Sequence, residues 1–159
     1  MIYKNGFELK QNYNDFLSDL KNYPRIVFTN GVFDLLHIGH IRYLKNAAQK
    51  GDILIVGINS NSSVKKLNKK GDRPIIDETE RAEIISSLYF VNFAIIFNEK
   101  NPKKLIQDIK PEIFVKGGDY KIESLEEAKI VKSYGGQVVI GLLVEGRSTT
   151  SIISKLATS

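Results

Sequence analysis

The sequence predicts an α/β fold, a doubly wound parallel sheet of five strands forming a single domain. Three observations carry this. Five short apolar runs, at residues 26–28, 53–58, 93–97, 113–115 and 138–143, are too continuous for strands with one wet face. Stretches of helical periodicity separate them. The length of 159 residues suits one compact domain, and no repeat, low-complexity stretch or linker divides it.

The elements follow in order. Residues 7–22 predict an opening helix, with Phe7, Leu9, Tyr13, Phe16, Leu17 and Leu20 at roughly helical spacing, ended by Pro24. This makes residues 1–23 an N-terminal helical extension and residues 24–156 the core of a domain covering 1–159. Between the apolar runs, Ile41, Leu44, Ala47 and Ala48 mark one helix, and Ala82, Ile85 and Leu88 another. Leu105, Ile106 and Ile109 mark a third, Leu125, Ala128 and Val131 a fourth, and residues 148–156 a last one. Gly51, Pro74, Pro102, Pro111 and Gly135-Gly136 punctuate the changes. Strands joined through helices imply βαβ crossovers. Ligands of such sheets bind beyond the carboxyl ends of the strands, at the switch point of the topology. The loops of interest therefore follow residues 28, 58, 97, 115 and 143.

Composition narrows the class. A hydrophobic fraction of 42% supports a real core. No apolar run approaches the roughly 20 residues that span a bilayer. Lys4, Glu8, Lys10, Asp15 and Asp19 interrupt any secretory leader. Zero cysteines exclude disulfides, thiolate zinc, iron–sulfur clusters and thiol catalysis. A soluble cytoplasmic protein without a membrane partner is expected. The net charge of +5 favours anionic partners or a lysine-rich solvated surface, and becomes informative only where it clusters.

The first loop holds both histidines: Thr29-Asn30-Gly31-Val32-Phe33-Asp34-Leu35-Leu36-His37-Ile38-Gly39-His40. It leaves the first strand and enters a helix near Ile38, whose N-terminal N–H groups and dipole attract anions. Gly31 permits a tight turn or close approach. His37 and His40, three apart, share one helical face, and Gly39 leaves room for a phosphate chain. This suits stabilisation of charge during substitution at phosphorus. Zinc ligation by the pair has no intervening acidic residue and no cysteine to support it. A purely structural role for both histidines remains the competing reading. The glycine-rich dinucleotide fingerprint and the G-x-x-x-x-G-K-[ST] phosphate loop are absent.

His37-Ile38-Gly39-His40 after Asn30-Gly31-Val32-Phe33-Asp34 resembles the nucleotidyltransferase superfamily that shares its HxGH signature with class I aminoacyl-tRNA synthetases. Gly71-Asp72-Arg73-Pro74, Glu80-Arg81, Val115-Lys116-Gly117-Gly118-Asp119-Tyr120 and Glu145-Gly146-Arg147-Ser148-Thr149-Thr150 follow in order, extending the resemblance over residues 24–156. The set looks most like the adenylyltransferases of ADP-heptose synthesis, which occur alone or as the C-terminal half of a bifunctional kinase–adenylyltransferase.

The resemblance implies a Rossmann-like fold. It implies attack by a sugar 1-phosphate on the α-phosphorus of ATP, with Mg²⁺, releasing pyrophosphate for surface-polysaccharide synthesis. His37, His40, Arg73 and Lys116 are then the catalytic set. Asn30, Gly31, Val32, Phe33, Gly39, Arg81, Gly117, Asp119, Ser148, Thr149 and Thr150 are the nucleotide-binding set, with no protein metal ligand assigned. Asp34 orients groups within the loop. Lys65, Lys66, Lys69, Lys70 and Arg73 read either as a lid closing on phosphates or as a solvated basic face. Arg81 reads as a nucleotide contact or a helix-surface ion pair. Relatives of this kind are often homodimers.

The chain also departs from related patterns. Leu143-Val144 stand before Glu145-Gly146 where cytidylyltransferases usually carry Arg-Thr, which favours adenine over cytosine. Asn61 stands where relatives commonly have aspartate, and Lys155 where arginine is common. There is no KMSKS motif. The rival readings are a cytidylyltransferase acting on glycerol 3-phosphate or a similar ester, and a noncatalytic nucleotide- or RNA-binding module. The second is disfavoured because the basic segment has no interleaved aromatics for base stacking.

Overall fold

The computed structural model describes residues 1–67, 73–118 and 121–141. Within these residues seven strands form one sheet: β1 (Ile2–Lys4), β2 (Phe7–Glu8), β3 (Ile26–Gly31), β4 (Ile53–Asn59), β5 (Phe93–Phe97), β6 (Ile113–Gly117) and β7 (Gln137–Gly141). Their order is β2-β1-β5-β4-β3-β6-β7. Strands β3 to β7 are the five expected ones and run parallel; β1 and β2 are additional and antiparallel. Among the described residues six α-helices accompany them: α1 (Tyr13–Leu20), α2 (Ile38–Ala48), α3 (Asn61–Lys66), α4 (Glu78–Ser86), α5 (Lys103–Ile109) and α6 (Glu126–Ser133).

Continuous apolarity in the strands reflects burial on both faces. Ile53 and Ile55 enter one cluster with Phe16 and Leu20 of α1, Ile106 of α5 and Val131 of α6. Leu54 and Val56, pointing the other way, enter a second with Leu44 and Ala47 of α2 and Ala82 and Ile85 of α4. Every residue of β4 is buried, and each large aliphatic side chain there stabilises the fold by about 1.5–3 kcal/mol.

The opening segment differs from expectation. Residues 7–22 do not form one helix. Asn5 (φ 52°) and Gly6 (φ 79°) make a two-residue hairpin turn between β1 and β2, and helix begins only at Tyr13. Asn12 caps it, its side chain accepting from Asn14 N–H at 2.8 Å. The hairpin attaches to β5, with Ile2 opposite Ile95 and Tyr3 opposite Ala94. Ile2 and Tyr3 supply apolar surface to opposite faces, which a helical register would not allow. Helix α3 is a second addition. Ser60 caps it, accepting from Ser63 N–H at 3.1 Å, so the lysine segment starts as helix, with Lys65 and Lys66 exposed on its last turn. The helix expected over residues 148–156 lies outside the described residues.

The switch point falls between β3 and β6: from β3 the chain proceeds through β4 to β5 on one side, while β6 and β7 lie on the other. Among the described residues no helix is long and apolar enough to cross a membrane.

Candidate active site

The loop leaving β3 begins with Asn30 and Gly31 still in register with Gly57 and Ile58 of β4. A Cβ on Gly31 would lie 2.8 Å from the Phe33 ring, so the ring folds back over the glycine. Phe33 itself is in the left-handed region, φ 49°, an unfavourable conformation for an aromatic residue that the surrounding packing enforces. Val32 and Phe33 are buried. The turn delivers His37 to the N-cap of α2.

His37 caps the helix with its own ring: Nδ1 accepts from Gly39 N–H at 3.1 Å. That acceptor role assigns the proton of the neutral ring to Nε2. One turn later His40 stacks on His37, ring centroids 3.8 Å apart at 21°, and meets Phe33 edge-to-face with centroids 5.3 Å apart. The two imidazoles thus share a face of the first helical turn, as their spacing predicts. Gly39 between them is buried. Two adjacent rings at a helix N-terminus make a compact donor group for a phosphate chain.

Asp34 is buried, and its Oδ1 accepts from Ile75 N–H at 2.8 Å and Ile76 N–H at 3.0 Å. It ties the histidine loop to the chain just after Arg73-Pro74, which agrees with an orienting role. Arg81 is neither a surface ion pair nor open to solvent. It is 1% exposed, and its guanidinium donates from Nη1 to Val32 O at 2.5 Å, from Nε to Ile76 O at 2.9 Å and from Nη2 to Asn61 Oδ1 at 2.9 Å. Burial lowers its pKa, opposed first by Asp34 and then by Glu78 and Asp77. Arg81 therefore braces the histidine loop, the base of the basic segment and α3 together. Asn61 completes the brace by donating from Nδ2 to Asp77 Oδ2 at 2.7 Å, while its backbone N–H bonds Glu78. The carbonyl of Val32 is thereby directed at Arg81. Asn30 Oδ1 and Asp34 Oδ2 are buried with no hydrogen-bond partner among the described residues, an unusual pairing of orphans in one loop.

Lys116 and Gly117 end β6, beside β3 at the switch point. Lys116 Nζ lies 3.3 Å from Glu127 Oε1 of α6 and 5.7 Å from the Phe114 ring centre, so the cation is held against the strand end. Gly118 has φ 117°, a conformation that favours glycine. Arg73 is half-buried and joined to Pro74 by a cis peptide bond. Asp119, Ser148, Thr149 and Thr150 lie outside the described residues, as do Lys69 and Lys70.

The structure thus gathers Asn30, Gly31, Val32, Phe33, His37, Gly39, His40 and Arg81 around one loop, with Lys116 and Gly117 on the neighbouring strand end. From sequence neither Tyr43 nor Glu127 is singled out, and Asn61 is noted only as a departure from aspartate, without its bracing role. The first had a signal: it follows His40 by three, on the same helical side.

The model of the family described as cytidylyltransferase-like matches residues 28–154, most of the chain. The chain belongs to that family and is a nucleotidyltransferase. Among curated relatives, this nucleotidyltransferase is 50% identical over 134 residues to the bifunctional protein HldE of Geotalea uraniireducens, covering 84% of this chain and 27% of that protein. It is 43% identical over 155 residues to the bifunctional protein HldE of Syntrophotalea carbinolica, covering 97% of this chain and 31% of that one. The chain thus spans about a third or less of these relatives. Among solved structures it is similar to the lipopolysaccharide core biosynthesis protein of Thermoplasma volcanium, with TM-score 0.65 and 32% identity, covering 76% of this chain and 98% of that one. A pantoate-beta-alanine ligase from Francisella tularensis shares the fold, with TM-score 0.54 at 18% identity.

Proposed function

We propose that this nucleotidyltransferase transfers AMP from ATP to a heptose 1-phosphate, giving ADP-heptose and pyrophosphate. The observation that carries the reading is the stacked His37–His40 pair at the N-terminus of α2, at the mouth of the sheet. An oxygen of the sugar phosphate forms a bond to the α-phosphorus while the bond to the β-phosphate breaks, and pyrophosphate departs with the electron pair. Charge builds on phosphate oxygens throughout, so catalysis is chiefly positioning and electrostatic stabilisation. His37 and His40 donate to the triphosphate. Asn30 to Phe33 and Gly39 form its backbone cradle, and Arg81 holds that cradle through Val32 O. Arg73 and Lys116 supply cationic charge from the two sides. Gly117, Asp119 and Ser148 to Thr150 serve the base, ribose and outer phosphates.

The acceptor is argued from similarity to HldE proteins and to a protein named for lipopolysaccharide core biosynthesis. Adenine over cytosine is argued from Leu143-Val144. Among the described residues no group of three or more histidine or acidic side chains is arranged to cage a divalent cation. In this reading Mg²⁺ enters with the triphosphate as part of the substrate.

The test is a pyrophosphate-release screen of nucleoside triphosphates against sugar phosphates. ATP with heptose 1-phosphate should exceed every other pair, with an ADP-sugar as product. Equal or greater use of CTP, or preference for glycerol 3-phosphate, would replace this reading with the cytidylyltransferase one.

A further inference from the structure

Strands β3 and β6 flank the switch point, yet they pair only low down, Val27 with Ile113 and Phe28 with Phe114. Both strands continue, to Gly31 and Gly117. At the next position on each, a side chain from α2 takes over. Tyr43 Oη donates to Val115 O at 3.1 Å and lies 2.6 Å from Thr29 Oγ1. The phenol has one proton and directs it to the carbonyl, so the Thr29 hydroxyl donates to Tyr43. All three residues are buried. The Tyr43 pKa is pushed up to about 12 by burial, so the hydroxyl keeps its proton.

The ring below that hydroxyl lies on the ends of two strands. A Cβ on Gly117 would come within 3.2 Å of it, and one on Gly141 within 2.3 Å. These glycines are register partners on β6 and β7. Tyr43 also sits one helical turn after His40. A single side chain therefore joins the histidine helix, the end of β3 and the end of β6.

We infer that Tyr43 is a positioning residue that sets the width of the crevice between the loop at residues 30–33 and the strand end at residues 116–118. Backbone pairing between β3 and β6 has already stopped at that level, so the Thr29–Tyr43–Val115 bridge fixes how far apart the two walls stand. The inference rests on the reading that this crevice holds the nucleotide. Removing the hydroxyl while keeping the ring frees the walls to shift and leaves two buried polar groups unpaired. A displacement of about 1 Å in a positioned site costs roughly 10²-fold in rate.

The experiment uses Tyr43→Phe and Thr29→Val, with Thr29→Ser as the conservative control. For each, kcat and KM are measured well below the melting temperature, and the affinity for a nonhydrolysable ATP analogue is measured by calorimetry. Both hydroxyl-deleting variants should lose roughly 10- to 100-fold in kcat and weaken analogue binding several-fold, while Thr29→Ser stays within about twofold of wild type. The double variant should be no worse than Tyr43→Phe, because both act through one bridge. A lower melting temperature with kcat and analogue affinity within twofold of wild type in both variants would overturn the inference. Should Tyr43→Phe fail to fold, Thr29→Val decides by the same criteria. Failure of the wild-type chain to use heptose 1-phosphate would reject the acceptor alone, since analogue binding reads the crevice independently.

Discussion

Replacing Arg81 by methionine tests whether this cation serves the fold or the nucleotide. The side chain is 1% exposed and donates three hydrogen bonds to Val32 O, Ile76 O and Asn61 Oδ1. Bonds from a charged donor are worth about 1.5–3 kcal/mol each, which sets an upper limit near 4.5–9 kcal/mol for the three. Desolvation of the guanidinium offsets part of this, and local relaxation recovers more. Methionine also leaves Asp34, 2% exposed, without the nearby positive charge it feels in the folded protein. A net loss of about 3–5 kcal/mol follows, the range for removing one partner of a buried polar cluster. For a domain of this size that lowers the melting temperature by roughly 10 °C or more. Urea unfolding followed by circular dichroism measures it, with the slope checked for two-state behaviour. Arg81→Lys keeps the charge but not the three-way fork and should fall between the two. A loss under about 1 kcal/mol for Arg81→Met, with a large rise in the KM for ATP, would refute the brace and assign the guanidinium to substrate.

His40→Ala should lower kcat by roughly 10²–10³, the cost of one preorganised donor, with a smaller effect on ATP affinity; steady-state kinetics on the folded variant reads the split, and near-normal kcat would return both histidines to a structural role. Gly141→Ala should destabilise by roughly 1–3 kcal/mol in urea unfolding, because its Cβ would press on the Tyr43 ring, and an unchanged midpoint would show that the ring yields freely. Asp77 caps α4, and hydrogen bonds from Thr79 above all hold its pKa down to about 2 from the ordinary 3.8. A depressed carboxyl stabilises above its unfolded value, and that contribution is lost as pH falls from about 4 towards 2. Melting temperatures across that range should therefore fall less steeply in Asp77→Asn than in wild type, and parallel curves would exclude the carboxylate as a contributor.

Much of this was legible in the chain. The five parallel strands announced themselves because a strand covered on both faces is apolar along its length, as residues 53–58 are. The start of α2 and the shared face of His37 and His40 followed from a spacing of three, which any helix converts into adjacency. Residues 7–22 misled because Phe7 and Leu9 fit a helical period by coincidence. The Asn5-Gly6 turn was the better signal, since left-handed backbone at two successive positions suits a hairpin.

Roles that depend on distant partners were not legible. Arg81 reads from sequence as a nucleotide contact or a helix-surface ion pair, and only the approach of residues 32, 61 and 76 makes it a buried brace. The sequence places Tyr43 one turn after His40, and only the divergence of β3 from β6 gives its hydroxyl a bridge to span. Local periodicity and turn chemistry are properties of neighbours along the chain, so the five parallel strands, most of their helices and the histidine face can be read from residue spacing alone. Hydrogen bonds between residues 49 or 72 positions apart exist only once the sheet has assembled, and these the tertiary structure decided.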